Sequence, residues 1–167
     1  VDGVRTPFAE LRAWMAAELM WDHYQDTDLL VREWMKGVYG NARGPMNDYW
    51  KHVKKLALQP NNRITVRTEP FEYITDTWLA EADRMLTRAY AISMTDSTAR
   101  NYVRRERFGL RTIQLYRALS KTPSNKDSCR AMIASWLKEA KTLGYERVSA
   151  AMTCREFAEM VTASLKK

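Results

Sequence analysis

Residues 20–40 read MWDHYQDTDLLVREWMKGVYG. Tryptophans, tyrosines and acids stand side by side here, the residue types of a sugar-gripping cleft and equally of a seam between two helices. The local pattern is helical. Asp26, Thr27 and Asp28 offer capping oxygens for a helix start. Leu30, Trp34 and Val38 then recur on one face, and Gly40 suits the left-handed position that closes a helix.

Working upstream, Thr6-Pro7 predicts a helix start, because Pro7 occupies the first turn where a missing N–H costs nothing. Phe8, Leu11, Met15 and Leu19 form a stripe at helical spacing, flanked by Trp14 and Trp21, and this helix should end near Trp21. Downstream, Asn41–Gly44 links to a third helix from Pro45 carrying Met46, Tyr49, Trp50, Val53 and Leu56. Gln59–Pro70 is the longest polar connector, with Ile64-Thr65-Val66 either a short strand or extended chain. A fourth helix begins near Thr75 with Trp78, Leu79, Ala82, Met85, Leu86 and Ala89 inward. Asp96-Ser97 caps a fifth that reaches Ser120. After a loop at Ser124–Ser128, a sixth buries Met132, Ile133, Trp136, Leu137 and Ala140 and stops at Gly144. Thr153-Cys154-Arg155-Glu156 has the form of a capping box, followed by Phe157, Met160, Val161 and Leu165. The expected fold is all-α, a bundle of about seven helices forming a single helical domain over residues 1–167.

The bulk numbers agree. The chain has 167 residues, only 6 glycines and 5 prolines, and 46% hydrophobic against 28% charged residues. That is the usage of one folded domain poor in tight turns. No apolar run is long enough to span a membrane, and no secretory leader opens the chain. Val1-Asp2-Gly3-Val4-Arg5 reads as a cut end, a mature terminus or an excised domain. Cys129 and Cys154 lack metal-ligand spacing, and two free buried thiols are expected although a disulfide is within geometric reach.

Two groups of residues could carry function. Trp14, Trp21, Trp34, Trp50, Tyr39 and Tyr49 could stack on sugar rings, yet each lies on or beside an apolar stripe, which favours core or interdomain packing. Arg100, Arg104, Arg107 and Arg111 form a guanidinium stripe, with Arg105 and Arg117 nearby and Glu106 as the one opposing acid. Bare like charges at this spacing weaken a helix slightly. Guanidinium forks bind phosphate or other anions with paired hydrogen bonds. The competing reading is a solvated face paired with Glu69, Glu72 and Asp76. The net charge of +7 could suit nucleic acid or an anionic surface, or be the unbalanced share of a larger protein. Glu69 with Glu72 could in principle do glycosidase chemistry, but nothing in the sequence raises either pKa. His23 and His52 have no metal-binding setting, and no phosphate loop or paired nucleophile is present. No catalytic residue, metal or cofactor is expected.

Glu10-Leu11-Arg12-Ala13-Trp14, Leu19-Met20-Trp21-Asp22, Asp26 with Asp28, and Gly37-Val38-Tyr39-Gly40-Asn41-Ala42, followed by Tyr49, form a series. It resembles the later part of a bacterial family catalogued as a domain of unknown function. The family's members include endo-β-N-acetylglucosaminidase-type glycoside hydrolases that cut glycoprotein glycans. Arg104-Arg105-Glu106-Arg107, Trp136-Leu137 and Gly144-Tyr145 are similar to that region too. Trp14 stands where the family usually has tyrosine, His23-Tyr24 replaces its proline, and Asn41–Gly44 is less alanine-rich. The resemblance implies a C-terminal helical domain of a larger carbohydrate-active protein, with a catalytic (β/α) barrel upstream that carries the catalytic carboxylates. It implies as partners that barrel and the parent's glycan, and a parent that is secreted, periplasmic or at the cell surface of a bacterium. Trp14, Trp21 and Tyr39 then become candidate interdomain or sugar contacts. Arg100, Arg104, Arg107 and Arg111 remain candidate anion contacts. The alternative function is a basic helical module binding nucleic acid or another polyanion. Nucleic acid is the less favoured partner.

Overall fold

A computed structural model describes residues 7–59, 73–120, 126–149 and 152–165. Among them run seven α-helices: α1 (Ala9–Trp21), α2 (Thr27–Tyr39), α3 (Arg43–Ala57), α4 (Asp76–Ile92), α5 (Ser97–Ser120), α6 (Lys126–Leu143) and α7 (Cys154–Ser164). One-turn 3-10 helices at Gly40–Ala42 and Ser93–Thr95 join α2 to α3 and α4 to α5. The fold is all-α apart from a small antiparallel hairpin, β1 (Arg147–Ser149) with β2 (Met152–Thr153). The Thr6 cap, the Ile64–Val66 segment, Glu69, Glu72 and Ser124 lie outside the described residues.

Local chemistry sets the boundaries. Asp26 accepts from the Asp28 and Leu29 N–H groups at 2.8 and 3.3 Å, which starts α2. Thr75 caps α4 through Trp78 N–H at 3.1 Å, and Asp96 caps α5 through Ala99 N–H at 3.0 Å. At α7 the reciprocal box is complete: Glu156 N–H donates to Thr153 Oγ1 at 3.2 Å, and Thr153 N–H donates to Glu156 Oε2 at 2.7 Å. These bonds hold the Glu156 carboxyl below its usual pKa.

Several details differ from the sequence reading. The buried face of α2 is Val31, Met35 and Tyr39 together with Leu30, while Trp34 and Val38 flank it half-buried. Helix α3 starts at Arg43, two residues before Pro45. Helix α6 starts at Lys126, inside the stretch expected to be loop. It buries Cys129, Ile133, Trp136 and Ala140, leaving Met132 at the surface. Between α6 and α7 the chain pairs with itself as the hairpin, whose Val148 is fully buried.

Helix α5, at 24 residues roughly 36 Å long, is the spine. Two apolar clusters assemble on it. The first gathers Phe8, Leu11, Met35, Tyr39, Met46, Tyr49, Trp78 and Leu86 from α1–α4 against Val103, Leu110 and Ile113. The second packs Phe108 and Leu115 against Ile133, Trp136, Val148, Phe157 and Val161 from α6, the hairpin and α7. Cys129 and Cys154 both lie in the second cluster as free buried thiols.

Gly40 carries φ 48° and ψ −119°, a backbone that favours glycine, and the chain pivots there from α2 into α3. A Cβ at this point would stand 3.2 Å from Oδ2 of Asp96, the α5 cap. Gly40→Ala is therefore expected to cost about 2 kcal/mol through backbone strain, read as a lower urea midpoint at unchanged slope.

Candidate functional site

The start of α1 is fastened to α5 by a half-buried acid. Phe8 precedes the helix in a left-handed conformation (φ 53°, ψ 38°) that a bulky side chain rarely adopts. Its ring, 1% exposed, lies against Tyr39, Tyr49 and Trp50 with centroids 6.5, 5.2 and 5.3 Å away. Its N–H donates to both carboxyl oxygens of Glu106 at 3.1 Å. The Glu106 carboxyl is pushed up to about 8, first by burial and also by Glu10, against the opposing Phe8 N–H and Arg12. Burial raises the Tyr39 and Tyr49 phenols as well, with Glu106 adding to both. This constellation binds parts of the chain together: the carboxyl and both rings face inward, onto Phe8.

The three candidate aromatic contacts separate. Tyr39 is 1% exposed, and Trp14 is half-buried with its ring 5.5 Å from that of Trp34. Trp21 alone is presented, 91% exposed at the last residue of α1. Beside it Met20 and Tyr24 are 89% and 86% exposed, and the His23 ring lies against that of Tyr24, tilted by 38° with centroids 3.9 Å apart. Leu11 is the single buried residue of α1, so the helix leaves the core along its length and ends in an uncovered aromatic cluster. Asp22 accepts from the Tyr24 N–H at 3.0 Å, while Asp26 and Asp28 pair with Arg32 and Lys54 at 3.9 and 3.6 Å. Sequence spacing placed Trp14 and Trp21 together. The fold divides them because no described element covers the end of α1.

The arginine stripe divides too. Arg104 pairs with Glu139 at 2.9 Å, Arg105 with Glu10, and Arg117 with Asp76 at 2.7 Å. Arg100 donates to the Met94 carbonyl at 3.3 Å. Arg107 and Arg111 are left, forming no ion pair or hydrogen bond with a described residue. Arg107 lies 4.8 Å from the Tyr90 ring centroid as a cation–π contact. These two guanidiniums, with Arg104, Tyr90, Phe108 and Glu139, line a cavity of about 160 Å³. Burial and then the neighbouring Arg111 charge push the Arg107 pKa down.

A larger groove of about 400 Å³ lies between α3 and α4, with Lys51 and Lys55 on one wall and Arg84 and Arg88 on the other. His52 closes it, stacked 4.7 Å from Trp78, with Nε2 3.1 Å from the Trp78 carbonyl and Nδ1 3.6 Å from Glu81. Sequence reasoning missed this groove and Glu106. The groove's signal was two basic pairs at i,i+4 on successive helices, and Glu106's was a lone acid within an arginine run. Among the described residues no group of three His, Cys, Asp or Glu side chains gathers as a metal site, and no helix is long and apolar enough to cross a membrane.

Residues 3–51, spanning α1, α2 and the first half of α3, match a family described as "Domain of unknown function (DUF4838)". No curated protein and no solved structure matches the chain.

Proposed function

We propose that this chain is a non-catalytic helical domain of a bacterial glycan-acting protein, docked on a catalytic (β/α) barrel through the exposed end of α1. The observation that carries this reading is the cluster of Met20, Trp21 and Tyr24, each more than four-fifths exposed on an element half-detached from the core. Scattered exposed apolar residues are ordinary, but a contiguous group with a polar rim marks an interaction surface. Tryptophan and tyrosine are also the residues most often found as binding anchors. The family match supports the reading because it covers this same segment.

Two measurements test it. The chain alone should release no sugar from glycoprotein glycans, and turnover would overturn the assignment. Added to the separately produced barrel, the chain should bind, and Trp21→Ser with Tyr24→Ser should weaken binding by about tenfold or more. Because both side chains are exposed, the double variant should keep its folding stability to within about 1 kcal/mol.

The four cations of the α3–α4 groove support a second reading, a polyanion-binding module. Its signature would be oligonucleotide affinity that falls steeply with salt, at a slope set by the phosphates neutralised.

A further inference from the structure

We infer that the cavity between α4, α5 and α6 is a binding site for one phosphate or sulfate group, held between Arg107 and Arg111 beside Tyr90. Six arginines on α5 were candidates for such a role or neighbours of it; the fold gives three of them internal carboxylates and Arg100 the Met94 carbonyl. The two that remain are one turn apart on the same helix face, both with partial burial, both lining one hollow.

Two like charges sharing a partly dry cavity repel, and water screens them poorly there. An oxyanion between them reverses the sign of that interaction and accepts from both forks, the geometry in which arginine binds phosphate and sulfate best. Tyr90 holds the Arg107 guanidinium over its ring, 4.8 Å from the centroid, which limits the freedom lost when the anion is gripped. Size narrows the ligand. About 160 Å³ is well below the roughly 300 Å³ at which cavities begin to enclose drug-sized molecules. The cavity therefore takes the oxyanion group itself, and any sugar or other carrier stays outside. Glu139 sets the selectivity: held by Arg104 at the cavity edge, it repels a second negative group. The α3–α4 groove is the weaker candidate, since all four of its cations are exposed and solvated without a ligand.

Calorimetric titration of the full chain with inorganic phosphate, inorganic sulfate and glucose 6-phosphate tests the site. Saturable binding of the inorganic ions identifies the free anion as sufficient, and binding of glucose 6-phosphate alone identifies an ester. Arg107→Met and Arg111→Met should each weaken binding by about tenfold or more, because each removes a charge-assisted pair. Arg88→Met, in the other groove, should leave it unchanged. Glu139→Gln should tighten binding several-fold, since it removes the competing internal carboxylate and releases Arg104. This gain keeps the test decisive even where a loss variant folds poorly. Failure of all three probes to saturate at tens of millimolar would overturn the site, as would unaltered binding in folded Arg107→Met and Arg111→Met, or weaker binding in Glu139→Gln.

Discussion

Replacing Trp136 by alanine is expected to remove about 3–5 kcal/mol of stability and to loosen the C-terminal half of the molecule first. The side chain is 1% exposed at the centre of the second cluster. Its ring stacks on Phe108 at 5.1 Å and 14° and meets Phe157 edge-on at 5.2 Å and 63°. Its indole N–H donates to Thr112 Oγ1 at 2.9 Å, and that hydroxyl donates onward to the Phe108 carbonyl at 2.9 Å. Alanine would leave a cavity in an aromatic stack and take away the donor that Thr112 accepts from. Against a total of roughly 5–15 kcal/mol for a domain, the loss is large. The second cluster involves α6, the hairpin, α7 and the later turns of α5, whereas α1–α4 pack on a separate cluster. Hydrogen exchange should therefore accelerate in α6 and α7 before α2–α4. Equal acceleration across the chain would mean that α5 couples both clusters into one cooperative unit.

The parts of this fold that were legible in sequence are those decided within one or two turns. Asp26, Thr75, Asp96 and the Thr153–Glu156 box act on backbone N–H groups two or three residues away, so their effect needs no tertiary partner. Helical spacing in α3 and α4 likewise named the residues now buried, because each of those helices has one core face. Helix α5 broke that logic. A helix touching two clusters has no single solvent face, and its arginines were distributed among α1, α4 and α6 by contacts of long sequence separation. The hairpin after Tyr145 was hidden for another reason: strands of three and two residues are too short to show alternation. Trp21 and Tyr39 were placed alike by sequence, and only the packing of Phe8 and Tyr102 around Tyr39 separates a core ring from an exposed one.

The same long-range packing gives Glu106 its pH dependence. In the folded chain its pKa is pushed up to about 8, above the 4.5 of an ordinary glutamate. A folded value above the unfolded one means that folding favours the protonated acid. Its stabilising contribution is then complete below about pH 4.5, declines through the window up to about 8, and is gone above it. A rise from 4.5 to about 8 corresponds to at most about 5 kcal/mol. The groups facing the carboxyl set this balance. Glu10 and the Tyr39 and Tyr49 phenols offer it no positive charge, Arg12 opposes the shift, and the Phe8 N–H is the donor present in either state. Glu106→Gln keeps an acceptor for that N–H and removes the titration. Urea denaturation from pH 5 to pH 9 should therefore show the variant gaining on the parent as pH rises, by several kcal/mol across the window. The difference between the two proteins is the quantity to read, because exposed carboxylates such as Glu156 act with the opposite sign and cancel in it. A difference that stays flat with pH would show that Glu106 is ionised in the fold at pH 5, and that Arg12 with the Phe8 N–H outweighs its burial. In the expected case the strained Phe8 backbone should respond most: the start of α1, which Glu106 ties to α5 beside the Arg105–Glu10 pair, should lose amide protection at alkaline pH before α2 and α3 do.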